Sequence, residues 1–311
     1  AAQFTTRVII GSRPGIGQTL REDELSIALQ TPFVTGGHAI LGDIDLQREA
    51  ANKHGTMALE DLLAVFDERE QLAIIDMAAG VNEPIESALE RIRAEAIEAV
   101  KNGARCILLD DTAVMDGLKH WIDPLLATAA VDTALRETHH ADRNLRRMAG
   151  VVLRSGALRD LHDIAMALSL GANAINPYML YAVGLGVAPK ALREALTPDA
   201  IISLLDKLVG VMTKGVEKIT STIGCHELRG YGHSFSSIGL AKGVAAQFDM
   251  PNYYGSEIRG LTWTDLKAWA EERAADLRGE TKAMLANADR FYPKMWKKAE
   301  DVAHGDMTLE D

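Results

Sequence analysis

The stretch Leu168-Ser169-Leu170-Gly171-Ala172-Asn173-Ala174-Ile175-Asn176-Pro177-Tyr178 holds the end of one element and the whole of the next. Before Gly171 the apolar residues keep helical phase, with Leu161, Ile164, Ala165 and Leu168 recurring on one side. Gly171 ends that helix, because a residue without a Cβ reaches the left-handed cap conformation without a clash. Ala172, Ala174 and Ile175 form an apolar run of strand length. Pro177 brings no amide hydrogen to a ladder and stops the strand. Asn176 and Tyr178 are therefore placed just past the strand's carboxyl end, the edge of a parallel α/β sheet where ligands usually bind.

The same alternation extends in both directions. Leu72-Ala73-Ile74-Ile75-Asp76 reads as a strand. Glu83-Pro84-Ile85 opens a long helix in which Ile85, Leu89, Ile92, Ala96 and Val100 share a face, and Gly103 closes it. Arg105 to Leu109 is the next buried strand and ends in Asp110-Asp111. This β-α-β unit calls for parallel pairing. Pro124 to Leu135 is a helix, Gly150 to Leu153 a strand ending in Arg154-Ser155-Gly156, and Leu158 to Leu170 a helix. The predicted fold class is α/β, with a parallel β-α-β sheet that is open or incomplete and (β/α)-barrel-like, followed by a helical C-terminal part.

Residues 31–56 are mixed and turn-rich, and Thr56 is positioned to cap a helix with Glu60 in its first turn. After Pro189 the pattern is helical: from Thr197-Pro198-Asp199 to about Lys218, from Ser236 to Phe248, and from Thr264 to Asp289. The last of these has Leu266, Trp269, Ala270, Arg273 and Leu277 as its packing face. One domain over residues 1–311 is expected, divided into a lead-in at 1–70, a β-α-β core at 71–187 and a helical part at 188–311.

Composition narrows the function classes. The 311 residues carry 44 acids against 33 bases, a net charge of −11 that disfavours a phosphate backbone as partner, so no nucleic acid is expected. No apolar run approaches the roughly 20 residues of a membrane span. With no secretory signal in view, a cytoplasmic location is the expectation. The two cysteines, Cys106 and Cys225, are too few for a disulfide framework or for a cysteine-only zinc or iron–sulfur site, and both are expected to be buried thiols.

Candidate chemistry gathers at the strand ends: Asp76, Asp110, Asp111, Arg154, Ser155, Asn176 and Tyr178, with His162 on the following helix. In a parallel sheet these converge. Arg154 is then able to hold a carboxylate or phosphate by a bidentate contact, or to pair with the two aspartates as part of the scaffold. Asn176 has a structural role open to it, satisfying backbone groups beside Pro177. His139-His140 point about 100° apart on a helix and share no ligand face, so no metal site is assigned. Lys214 and Lys218 lie on one solvated helix face. No nucleophile elbow is present, and no catalytic residue is assigned. Gly11-x-x-x-Gly15-Ile16-Gly17 is similar to the nucleotide loop of short-chain dehydrogenases, but Glu22, Asp23 and Glu24 oppose a pyrophosphate there. A structural turn is the expected reading of that loop. The dehydrogenase alternative requires a helix starting at Gly17 directly after the first strand.

The segment Leu170 to Tyr178 resembles the glycine–alanine–x–alanine–x–asparagine–proline–tyrosine segment in the central domain of glutamate synthase large chains. Further matches are Lys214-Gly215, Ser221, Gly224, Arg229-Gly230 and Ile238-Gly239-Leu240, then Tyr254-Gly255-Ser256 with Arg259. The resemblance covers roughly residues 70–260, with a weaker echo at each end. It implies an incomplete barrel without catalytic residues or cofactor of its own, acting as a scaffold between glutamine amidotransferase and FMN-barrel domains or chains. FMN and the iron–sulfur cluster are then expected only on those partners. It also adds Arg229 to the candidate ligand-binding residues. Four positions depart from the family pattern. Asp132-Thr133-Ala134 stands where a histidine triplet is usual, Arg154 where a glutamate is, His162-Asp163 where a histidine pair is, and Thr222 where a lysine is. The segment after Gly224 is shorter and carries His226, Tyr231 and His233. A stand-alone enzyme or binding protein with a small-anion site at Arg154 is the competing expectation.

Overall fold

The computed structural model describes residues 5–14, 19–22, 24–186, 196–232, 239–250, 252 and 260–279. In chain order the strands and helices are β1 (Val8–Gly11), β2 (Ser26–Leu29), α1 (Ile44–Lys53), α2 (Leu59–Asp67), β3 (Leu72–Asp76), α3 (Ile85–Lys101), β4 (Cys106–Asp110), α4 (Pro124–Glu137), the two-residue strands β5 (His139–His140) and β6 (Arg143–Asn144), β7 (Gly150–Arg154), α5 (Leu161–Ser169), β8 (Ala174–Asn176), α6 (Tyr178–Gly184), α7 (Pro198–Thr222), α8 (Lys242–Ala245) and α9 (Trp263–Leu277).

The core is a parallel sheet in the order β3-β4-β7-β8. Its register aligns Asp76, Asp110, Arg154 and Asn176 in one row at the carboxyl edge. With a side-chain period of two, Leu72, Ile74 and Asp76 share a face of β3, as Gly150, Val152 and Arg154 do on β7. A Cβ on Gly150 would meet the Gly11 nitrogen at 2.7 Å, so the antiparallel β1–β2 hairpin closes the amino end of that face. Beyond β8 the sheet continues into the lead-in. Phe33 bridges Ile175 in parallel, and Thr35 bridges Ala58 in parallel. The strands thus curve toward a barrel that stays open. Among the described residues no bridge joins Ala58 to β3.

The helices form where the apolar phase predicts. On α3, Ile85, Leu89, Ile92, Ala96 and Val100 are all buried, and Gly103 follows with φ +111°. Gly171 has φ +119°, and a Cβ there would meet the Asp132 carboxyl carbon at 2.5 Å. Both observations require glycine at the turn into β8. Arg146, 6% exposed, secures that turn: it donates to Asp132 at 2.5 Å, to the Gly171 carbonyl at 2.6 Å and to the Asn173 side chain at 2.8 Å.

Several local readings change. Thr56 does not cap α2; its hydroxyl donates to the Phe33 carbonyl at 2.8 Å, and Ala58 is the cap residue. The turn-rich stretch 31–56 contains α1, capped by Asp43, because Gln47, Ala50 and Ala51 supply one buried face amid polar residues. Asn176 is the last residue of β8 rather than past it, and Tyr178 opens α6. His139-His140 lie on an exposed two-residue hairpin strand rather than a helix. Of the predicted helix from Ser236, residues 239–241 precede the four-residue α8, and 236–238 lie outside the described residues. On α9 the packing face is Leu266, Ala270 and Ala274, while Trp269 is 47% exposed. Arg273 stacks on Trp121, 3.7 Å from the ring centroid. The helix reading beyond residue 279, and the Gly15-Ile16-Gly17 loop, also lie outside the described residues. Among the described residues the next element after β1 is its antiparallel partner β2, and residues 19–22 are not helical, which speaks against the dinucleotide-fold alternative.

Candidate functional site at the carboxyl edge of the sheet

The row at the strand ends is an interlocked polar cluster. The Arg154 Nε and Nη2 donate to Asp110 at 2.8 and 2.6 Å, the bidentate geometry of a guanidinium on a carboxylate. Its Nη1 donates to the Gly37 carbonyl at 2.9 Å. Asp110 also accepts from the Thr112 amide at 3.0 Å and its hydroxyl at 2.8 Å. Burial pushes the Asp110 carboxyl up, but the Arg154 and Thr112 hydrogen bonds outweigh it, and the net shift is downward.

Asp111 turns the other way. It is 2% exposed and accepts from the Ser155 hydroxyl at 2.5 Å, the Gly156 amide at 3.1 Å and the Tyr178 hydroxyl at 3.2 Å. Burial dominates and pushes its carboxyl up to about 6 despite those donors. The Tyr178 phenol is raised by burial and by the neighbouring Asp111 charge. His38 stacks on Tyr178 with ring centroids 5.0 Å apart, and burial followed by the Arg154 charge lowers its pKa.

Asn176 is fully buried and has a structural role, but not beside Pro177. Its amide donates to the carbonyls of Val34 and Gly36, each at 2.9 Å, and so stitches the lead-in onto β8. Its Oδ1 lies against Gly37, whose added Cβ would meet it at 2.3 Å; Gly37 has φ +88°. The Gly37 amide in turn donates to Glu60 at 2.8 Å.

The structure therefore brings Asp110, Asp111, Arg154, Ser155, Asn176 and Tyr178 together. Asp76, at the end of the row, pairs with Lys119 at 2.5 Å. His162 stays apart, exposed in the first turn of α5, with its backbone amide donating to Asp160. The Arg229 side chain lies outside the described residues. Cys106 is buried, and burial pushes its thiol up to about 12; Cys225 is only half-buried, contrary to expectation, because it follows α7 in an open turn. Lys214 and Lys218 are exposed. Sequence reasoning missed His38, Glu60 and Lys119. The paired glycines Gly36-Gly37 before His38 were the visible signal for the first two, since paired glycines allow backbone to approach a neighbouring group closely.

Among the described residues no group of three His, Cys, Asp or Glu side chains is arranged to hold a metal ion, and no helix is long and apolar enough to cross a membrane. The Arg154 guanidinium, the group most suited to a ligand phosphate, is spent on Asp110 and Gly37.

Residues 1–241 match the family described as the glutamate synthase central domain. The chain belongs to that family. Similar proteins are full-length synthases. The glutamate synthase [NADPH] large chain of Bacillus subtilis (strain 168) is 26% identical over 193 residues, 61% of this chain and 12% of that protein. The Azospirillum brasilense large chain is 30% identical over 54% of this chain and 11% of its own length. The ferredoxin-dependent glutamate synthase 2 of Synechocystis sp. (strain ATCC 27184 / PCC 6803 / Kazusa) is 28% identical over 94% of this chain and 17% of its own. The chain thus spans between about a tenth and a sixth of these relatives. Among solved structures, a chimeric (S)-mandelate dehydrogenase is 13% identical, with 74% of this chain and 83% of that one covered at a TM-score of 0.43, a likeness too slight to add to the family assignment. The family match reaches residue 1, beyond the core of the sequence resemblance, which fits a lead-in that contributes Phe33 and Thr35 to the bridged strands.

Proposed function

We propose that this glutamate synthase central domain is a non-catalytic scaffold linking a glutamine amidotransferase part to an FMN-barrel part in the conversion of glutamine and 2-oxoglutarate to glutamate. The observation that carries this reading is the internal pairing of the carboxyl edge. Arg154 donates from all three nitrogens to protein acceptors, and Asp111 is enclosed by Ser155, Gly156 and Tyr178. An edge organised in this way stabilises the fold and leaves the Arg154 guanidinium engaged rather than open to a flavin phosphate. With two cysteines the chain is also short of the thiolates an iron–sulfur cluster takes, so FMN and the cluster belong to the partners.

The test is an absorbance spectrum of the freshly purified chain, followed by assay with glutamine and 2-oxoglutarate, alone and with amidotransferase and flavin-barrel chains. The expected outcome is a colourless protein, inactive alone, that binds those chains. A stoichiometric flavin band in the isolated chain would overturn the reading.

A further inference from the structure

We infer that the open seam of the barrel along β3 is the docking site for an extended segment of a partner polypeptide, which adds to β3 as a strand and covers Ile74. This rests on the reading of the chain as a scaffold that works beside other synthase polypeptides.

Ile74 is the anomaly of the sheet. Its register partners Leu108 on β4 and Val152 on β7 are fully buried, as is Ala174 opposite Val152 on β8, yet Ile74 is 58% exposed. Among the described residues no strand pairs with β3 on the side away from β4. The backbone shows the same vacancy. The Met77 amide donates to the Asp110 carbonyl, and the Gln71 carbonyl accepts from the Cys106 amide, so odd-numbered β3 residues face β4. The N–H and C=O groups of Leu72 and Ile74 then face the seam, and among the described residues no backbone bond to them closes it. Exposed edges of this kind pair with another strand unless they are blocked, and β3 carries neither proline nor an outward lysine.

Further exposed apolar side chains follow the strand in the chain: Ala79 bridges His120 antiparallel, and Val81 and Leu118, each two residues from that bridge, are 57% and 64% exposed. At the carboxyl end of β3, Asp76 is paired with Lys119 at 2.5 Å. The length of the relatives argues for the occupant. In the Bacillus subtilis and Azospirillum brasilense large chains the matched segments are 12% and 11% of the polypeptide, so most of each polypeptide lies outside the match and can supply the strand.

The backbone parity gives a selective test. Ile74→Pro removes an amide that faces the seam and leaves the β4 ladder whole, which an edge strand tolerates. Ile74→Lys blocks the seam without a backbone change. Each variant would be measured with amidotransferase and flavin-barrel chains by calorimetry, with hydrogen exchange at residues 72 and 74 in the wild-type complex. The expected result is retained folding by circular dichroism, at least about tenfold weaker binding to one partner in both variants, and slowed exchange at both amides in the complex. Wild-type binding that both variants keep, with no slowing at residues 72 and 74, overturns the seam while leaving the scaffold reading intact. Absence of binding by wild type as well overturns both. Concentration-dependent self-association that the variants abolish assigns the seam to a second copy of this chain and overturns the partner strand.

Discussion

On the β8 flank of the sheet, Phe33 bridges Ile175, and the Asn176 amide holds two lead-in carbonyls at 2.9 Å. On the β3 flank, Ile74 stands 58% exposed, and among the described residues no strand pairs with β3 on the side away from β4. The two flanks share one sheet and one row of polar residues, yet one is closed by a distant part of the same chain and the other is left open. The closed flank explains why the carboxyl edge is buried. The lead-in turn at Gly36-Gly37 supplies the carbonyl that occupies Arg154 and the histidine that covers Tyr178. The open flank receives no such lead-in turn among the described residues, and Asp76 accepts from the nearby Ala78 amide and pairs with the half-exposed Lys119. Burial at this edge therefore reflects which loop reaches it rather than the strand's own residues.

Substitutions along the row should separate the two flanks. The largest effect is expected from Arg154→Met, which strands an Asp110 carboxylate only 14% exposed and should destabilise the protein by about 3–5 kcal/mol at neutral pH in denaturant titration. Because the Asp110 pKa is lowered in the folded state, its stabilisation is present above the ordinary carboxylate range and lost as pH falls through the folded value. The Arg154→Met deficit should shrink in acid accordingly.

Asp111 should show the opposite slope. Its folded pKa, about 6, lies above that of an unfolded carboxyl. The folded state then holds more protons between those values, so stability falls as pH rises from about 4 to about 6. The loss is on the order of 2–3 kcal/mol by neutral pH. Asp111→Asn should abolish that slope in melts taken between pH 4 and 7, and a slope that survives would assign it to another group. Asn176→Ala strands the Val34 and Gly36 carbonyls and should cost about 1–3 kcal/mol, with the lead-in amides exchanging faster. An unchanged melt would remove Asn176 from its part in closing the β8 flank. Ile74→Lys should change stability by no more than about 0.5 kcal/mol, the range for exposed positions. A loss comparable to that of Asn176→Ala would mean that the seam is already filled in the isolated chain.

The sheet was legible because its strands are short apolar runs bounded by glycine, proline or charge. Ile85 to Val100 kept one phase through α3 for the same reason, since each of those residues touches the core. The candidate site was legible as a set of residues but not as a network. Asp110, Asp111, Arg154, Ser155, Asn176 and Tyr178 were readable as strand-end positions, because the end of a parallel strand is a local property. Their partners were not, because Gly37 lies 117 residues from Arg154, and Val34 lies 142 from Asn176. The α1 helix escaped notice because its mean hydropathy is low and only Gln47, Ala50 and Ala51 face inward.

Local pattern by itself determined the order and parallel sense of the core strands β3, β4, β7 and β8 with the helices α3, α4 and α5 between them, the requirement for glycine at 171, and the family segment around Asn176-Pro177-Tyr178. These depend on backbone geometry and apolar period over a few residues, which the chain carries wherever it is folded. Tertiary structure alone decided that Arg154 is spent on Asp110 and Gly37, that Asp111 is a buried acid while the adjacent Asp110 is a paired one, and that the barrel opens at β3. Each of those depends on which remote backbone arrives at a strand end. A carboxylate's state, and an isoleucine's exposure, follow from the neighbours it receives.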